Sequence, residues 1–269
     1  MGPVAGVDLA SKIISQTLAA SDQEHLPMVL CSFPDEIGDR TEYILRRQEE
    51  AGTDSPYRQE RSGGGNGSPD RDPNPGSAIA RILLKMEQAG VTVAGLACNS
   101  AHAPVIFDRI AHELNENRSR IGLLHMIREV GWFLTYEFTG IRKVGIAGTT
   151  GTRASGLYKL LEEFGMEVLD TTDGEQQVLH SAIYHPEYGI KAAPDGASGR
   201  AVEILTDTCR SLKQRGAQAI VFGCTEFPLA YREPVLQGLP VIDTNLVLAR
   251  ALVRACDPGR LRPFERGSS

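Results

Sequence analysis

The chain has 269 residues, 41% hydrophobic and 23% charged, a balance typical of a folded globular protein and against overall disorder. At roughly 100–200 residues per domain it holds one large domain or two modest ones. The formal charge of −6, from 28 Lys plus Arg against 34 Asp plus Glu, argues against a nucleic-acid-binding face, and no run of about 18 apolar residues is present to span a membrane.

In chain order, apolar periodicity predicts a helix over Asp8–Ala19, a strand over Met28–Ser32 and a helix over Thr41–Glu50. Residues Arg61–Ser77 are dominated by Gly, Pro, Ser, Asn and Asp and read as a surface insertion. Helices are then expected over Ser77–Ala89, Val105–Asn115, Leu124–Thr139, Ser155–Phe164, Gly199–Arg215 and Asn245–Ala255. Strands are expected over Val93–Cys98, Val144–Ala147, Glu167–Asp170 and Ala219–Cys224. Gly90, Gly165 and Gly216 stand where left-handed helix C-caps are needed. Strands alternating with helices imply an α/β fold with parallel sheets covered on both faces.

The two halves can be laid over each other. MGPVAGVDLASKII, MVLCSF and GVTVAGLACNSAHAP match GTTGTRASGLYKLL, MEVLDTT and GAQAIVFGCTEFPL, and IGLLHM (121–126) matches LPVIDT (239–244). The repeat predicts two similar doubly wound domains with parallel four-stranded sheets, related by a pseudo-two-fold axis. The expected division is residues 1–113 plus 238–269 for the first domain and 114–237 for the second. The second half carries RKVGIAG ahead of its GTTGT turn, and no counterpart precedes Met1. The first strand of the first domain is therefore expected to be missing, through truncation or an internal start; an upstream in-frame apolar run ending in Gly would bear this out.

Five cysteines (31, 98, 209, 224 and 256) include no CxxC pair, and the first ten residues lack the basic and long apolar regions of a secretory signal. Reduced thiols in a cytoplasmic protein are expected. Cys98 and Cys224 occupy matched places at the ends of predicted strands, where open α/β sheets bind ligands. Each opens the next helix, and a helix N-terminus favours thiolate. The amides of Asn99, Ser100, Ala101, Thr225 and Glu226 would form two nests suited to a carboxylate. Two equivalent acid/base groups on opposite sides of one small acid suit inversion of a stereocentre: one thiolate removes the Cα proton and the opposite thiol returns one. Cys31, Cys209 and Cys256 read as small buried hydrophobes. His102, one helical turn after Cys98, is close enough in sequence to touch it, and the histidines show no metal spacing.

Cys98-Asn99-Ser100-Ala101-His102 and Gly223-Cys224-Thr225-Glu226 resemble the paired cysteine motifs of the cofactor-independent aspartate/glutamate racemase superfamily. Met1-Gly2-Pro3, Glu24-His25-Leu26-Pro27, Asp39-Arg40-Thr41, Gly148-Thr149-Thr150-Gly151-Thr152, Ile183-Tyr184, Gly189-Ile190-Lys191 and Ile242-Asp243-Thr244 extend the likeness over nearly the whole chain. Met-Gly-Pro near the start and Glu226 after the second Cys-Thr are similar to the aspartate rather than the glutamate subgroup. The resemblance implies racemisation of an amino acid, aspartate first, by Cys98 and Cys224 with no cofactor or metal, and a homodimer. It makes Arg40 and Lys191 the cationic residues that hold the substrate, a role for which a bidentate guanidinium and an ammonium suit a dicarboxylate. Ser100 stands where Thr is common. The rival readings are another amino-acid racemase or diacid isomerase of the superfamily, a Cys-nucleophile hydrolase using His102, and a carboxylate-binding paralogue without turnover.

Overall fold

The structure, a computed structural model, describes residues 2–52, 74–192 and 198–265. Helix α1 (Pro3–Gln16) starts earlier than its periodicity predicts, because Pro3 sits at its first position behind the N-cap Gly2. Helix α2 (Arg40–Glu50) is capped by Asp39, whose carboxylate accepts from the Glu42 amide at 2.9 Å. Helix α3 (Pro75–Gln88) takes in the last three residues of the expected insertion; residues 61–73 of it lie outside the described residues. Strand β1 (Val93–Ala94), a 3-10 turn at Asn99–His102, helix α4 (Pro104–Glu116), strand β2 (Gly122–Leu123) and helix α5 (Met126–Glu137) complete the first half.

The second half opens on β3 (Lys143–Gly148), α6 (Thr150–Ala154) and a 3-10 segment at Leu157–Phe164. It continues with β4 (Glu167–Leu169), α7 (Asp173–Tyr184), α8 (Gly199–Gln214), β5 (Ala219–Gly223), α9 (Phe227–Ala230), β6 (Val235–Leu236), β7 (Leu239–Asp243) and α10 (Thr244–Cys256). Every residue of β5 is buried, which explains its unbroken apolar run. Burial of Ile220, Val221 and Phe222 contributes about 1.5–3 kcal/mol each. Gly90, Gly165 and Gly216 adopt φ of 91°, 74° and 97°, as their C-cap places require.

The larger sheet has the order β4-β3-β5-β7-β6, with four parallel strands and β6 antiparallel at the edge. The smaller sheet pairs β1 with β2 in parallel. Both sheets keep one register: Ala94 faces Leu123 as Ile220 faces Val241, the positions that the repeat equates. The expected four-stranded first sheet is not formed among the described residues, which give it two strands. Met28–Ser32 has no ladder partner, because no described strand lies between it and β1, as β3 lies between β4 and β5.

The strands and helices divide differently. β2, within 114–237, pairs with β1 of the first half, and β7, within 238–269, pairs with β5 of the second. The helices that follow them cross over: α5 packs on Leu157–Phe164, and α10 on α1 and β1. One apolar cluster therefore joins Leu9 of α1, Val130 and Leu134 of α5, Ile146 of β3, Val221 of β5 and Leu248 of α10. No helix among the described residues is long and apolar enough to cross a membrane.

Candidate active site

The carboxyl ends of β1 and β5 deliver Cys98 and Cys224 to the same place. Both line one pocket with Arg40, Asn99, Ser100, Lys191, Thr225 and Glu226, which brings together the sequence-predicted site residues except Ala101. Ala101 is wholly buried behind Cys98, and its amide donates to the Cys98 carbonyl at 3.3 Å. The pocket also takes Gly2, Thr149, Thr152 and Tyr184, which residue-by-residue reading did not single out. Their signal was present only as segments of the longer motif blocks, Gly148–Thr152 and Ile183-Tyr184. At about 20 Å³ the cavity has room for little more than one water.

Each thiol has its own cation and its own hydroxyl or carboxyl partner. Cys98 Sγ lies 3.4 Å from Ser100 Oγ. Burial pushes this thiol up, but the Arg40 guanidinium, the Ser100 hydroxyl and the Ala101 amide outweigh burial and the Glu226 charge, and its pKa is lowered below the ordinary 9.0. Cys224 Sγ donates to Glu226 Oε2 at 2.8 Å. Burial and the Glu226 carboxylate hold the Cys224 thiol well above 9.0, against the opposing pull of Lys191. The two thiols are thus shifted in opposite directions, Cys98 toward releasing its proton and Cys224 toward keeping it.

Arg40 opens α2, the end of a helix that disfavours a cation. Burial would lower its pKa further, yet Cys98 and Asp39 outweigh that cost and raise it. Its Nη1 donates to the Gly38 carbonyl at 3.0 Å, while its buried Nε has no hydrogen-bond partner among the described residues. A buried guanidinium with a donor to spare is what an incoming carboxylate needs. Lys191 Nζ lies 3.7 Å from Glu226 Oε1 and 4.1 Å from the centre of the Tyr184 ring. Burial pulls it down, and Tyr184, Glu226 and Cys224 more than compensate, so it stays charged.

Asn99 lines the pocket, and its side chain is turned to the second half. Its Oδ1 accepts from Tyr158 Oη at 2.6 Å and its Nδ2 donates to Thr244 Oγ1 at 3.2 Å. Thr244 in turn donates to the Phe222 carbonyl, so the Asn99 amide ties the two halves together. Thr225 Oγ1 lies 3.3 Å from Glu226 Oε2. The halves also meet at Gly151, where a Cβ would fall 2.8 Å from the Thr41 Cα, so only glycine allows α6 to approach α2 this closely.

His102 does not reach the thiol. It is fully buried, its Nε2 lies 3.3 Å from the Leu96 carbonyl, and its ring packs on Phe107 and His125. Burial and His125 depress its pKa to about 3, which makes it a neutral core group. Of the remaining cysteines, Cys209 lies in the core of the second half with its pKa pushed up by burial to about 12. Cys31 is half-buried and Cys256 exposed, and all five thiols are free.

Two matched thiols at the strand ends of a duplicated α/β frame, each with a cation beside it, thus line one pocket. Residues 1–252 match the model of the Asp/Glu/hydantoin racemase family. The chain belongs to that family. It is 26% identical over 179 residues to a broad-specificity amino-acid racemase of Bacillus subtilis (strain 168), RacX, covering 65% of this chain and 70% of that one. The fold is similar to that of Picrophilus torridus aspartate racemase, at a TM-score of 0.72 and 24% identity, over 97% of this chain and 92% of the other. An aspartate racemase homologue from Pyrococcus horikoshii OT3 gives 0.62 and 20%, with 94% of each chain covered.

Proposed function

We propose that the chain racemises an amino acid, aspartate first, with Cys98 and Cys224 as the two acid/base groups. The observation that carries this reading is the opposite bias of two thiols lining one pocket. The Cys98 thiolate takes the Cα proton and becomes a thiol. The electron pair left on Cα delocalises into the substrate carboxylate, whose growing charge is met by Arg40 and by amides of the Cys98 and Cys224 turns. Cys224 then gives its proton to the opposite face and is left as thiolate beside Lys191. The reverse reaction exchanges these roles.

The side-chain carboxylate of aspartate is the second anion that a pocket with both Arg40 and Lys191 is suited to hold. Because the cavity is so small, this reading needs the pocket around Arg40 and Lys191 to widen for the substrate to enter. The likeness to a broad-specificity racemase supports a wider substrate range, and a panel of L-amino acids and small diacids separates the two. The same reading takes the working form to be a cytoplasmic homodimer, which gel filtration checks.

Incubation of L-aspartate in D2O tests the proposal. Appearance of D-aspartate carrying deuterium at Cα is the expected result. Binding of aspartate without exchange or inversion would turn the reading into that of a carboxylate-binding protein.

A further inference from the structure

Asn99 follows Cys98, Gly223 precedes Cys224, and one side chain spans the gap between them. A Cβ on Gly223 would fall 3.1 Å from Tyr158 Cε2, so the edge of the Tyr158 ring rests on that turn, while its hydroxyl donates to Asn99 Oδ1 at 2.6 Å. Asn99 reaches the same stretch by a second arm. Its Nδ2 donates to Thr244 Oγ1 at 3.2 Å, and that hydroxyl donates to the Phe222 carbonyl at 3.1 Å. Asn99, Tyr158 and Thr244 are all buried, so water has little access to compete for these bonds. Burial, with Cys224 nearby, holds the Tyr158 hydroxyl well above its ordinary 10.0, and it stays a donor. Neither Tyr158 nor Thr244 lines the thiol pocket. The repeat equates Tyr158 with exposed Ser11 and Thr244 with apolar Met126, so the duplicated frame does not account for this arrangement.

We propose that Tyr158 and Thr244 are positioning residues, which through Asn99 hold the two thiols against opposite faces of one substrate carbon. This role rests on the two-thiol reading above and adds to it what fixes the spacing of the thiols. A single bond between the cysteine turns would act as a pivot. Two arms from one amide, reaching Phe222 and Gly223, stop the Cys98 turn from tilting or sliding against the Cys224 turn. The spacing matters unequally to the two steps of the reaction. Breaking the Cα–H bond needs one thiolate within about 3–3.5 Å of the carbon, and its sulfur takes the proton. Inversion needs, in addition, the opposite thiol at the same range on the other face. When the turns drift apart by about 1 Å, the proton is still removed, but delivery to the far face slows by about 10²-fold. The carbanion is then reprotonated by the sulfur that took its proton, once that S–H has exchanged with solvent. The starting enantiomer is restored, carrying a solvent hydrogen.

The test incubates each enantiomer of aspartate with the whole chain in D2O and measures Cα deuterium at low conversion, separately in the recovered and the inverted enantiomer. The unaltered chain is expected to place deuterium mainly in the inverted product. Tyr158→Phe and Thr244→Val should each raise the ratio of exchange with retention to inversion by at least about tenfold, with KM changed by less than about threefold. Thr244→Ser keeps the hydroxyl and should restore the ratio. Thr208→Val removes another buried hydroxyl, one that donates to the Ile204 carbonyl at 2.9 Å within α8, and should leave the ratio unchanged. An unchanged ratio in either folded variant, with exchange and inversion falling together, makes the contact structural only and overturns the proposal. So does an equal rise in Thr208→Val. An unaltered chain that neither exchanges nor inverts gives a different result: it removes the two-thiol reading itself, and the positioning role with it.

Discussion

Cys224 Sγ donates to Glu226 Oε2 at 2.8 Å, whereas Cys98 Sγ has the Ser100 hydroxyl at 3.4 Å and the Arg40 charge beside it. Two positions that are equivalent in the repeat are thus shifted in opposite directions from the ordinary thiol: burial raises both, the Arg40 charge and the Ser100 hydroxyl outweigh it at Cys98, and the Glu226 carboxylate adds to it at Cys224.

Loss of either thiol removes one of the two proton-transfer groups. Cys98→Ser and Cys224→Ser are each expected to lower kcat for aspartate racemisation by at least about 10²–10⁴-fold, the usual worth of a positioned acid or base. Retention of full activity by either variant, read by chiral chromatography, contradicts the two-thiol scheme.

The pH profile follows from the same inequality. The pocket must hold one proton on its two thiols. kcat/KM is expected to rise as the first proton leaves, below the ordinary thiol value of 9.0, and to fall as the second leaves, well above it. The two limbs belong to the coupled pair. Glu226→Gln removes the negative charge that raises Cys224, so the alkaline limb should move to lower pH. Thiolate absorbance of Cys224 in a Cys98→Ser background checks the shift directly.

Arg40→Met takes a buried cation from beside Cys98. Iodoacetamide labelling of Cys98 at pH 7 is expected to slow, because the thiol regains protons, and KM for aspartate should rise by about tenfold or more through loss of a charge-assisted contact. Arg40→Lys restores the charge but not the fork, so labelling should recover more than KM.

Tyr158→Phe leaves the Asn99 Oδ1 acceptor buried without its donor. A loss of about 1–3 kcal/mol in urea unfolding is expected, with a smaller change in KM than that caused by Arg40→Met, since Tyr158 does not line the pocket.

Gly151→Ala sets a methyl group against the Thr41 backbone. The cheapest relief is a shift of α2, which carries Arg40. Activity should therefore fall while far-UV circular dichroism stays unchanged.

Three strands of the larger sheet are legible in the sequence: β3 and β5, which are buried almost throughout, and the more exposed β4. β3, β4 and β5 lie within a residue or two of their expected bounds, because a short β-branched run has few other stable places to go. Helix α7 is not among the helices that the apolar periodicity predicts, although Thr172 and Glu175 form a capping box, a purely local signal. Met28–Ser32 has a strand's composition and no strand's hydrogen bonds, since a ladder needs neighbours that composition does not supply.

The amino-acid order alone determined the duplicated α/β frame and the two matched cysteines, because each is written in local periodicity, turn chemistry or repetition; Arg40 and Lys191 stand out only through the resemblance to a known family. Tertiary structure decided the rest. It turned the Asn99 amide toward Tyr158 and Thr244, buried His102 away from the thiol, brought Tyr184 and Thr149 to the pocket and shifted the two thiols in opposite directions. Side-chain direction and local dielectric depend on what the other half of the chain packs nearby, and no stretch of sequence carries that information by itself.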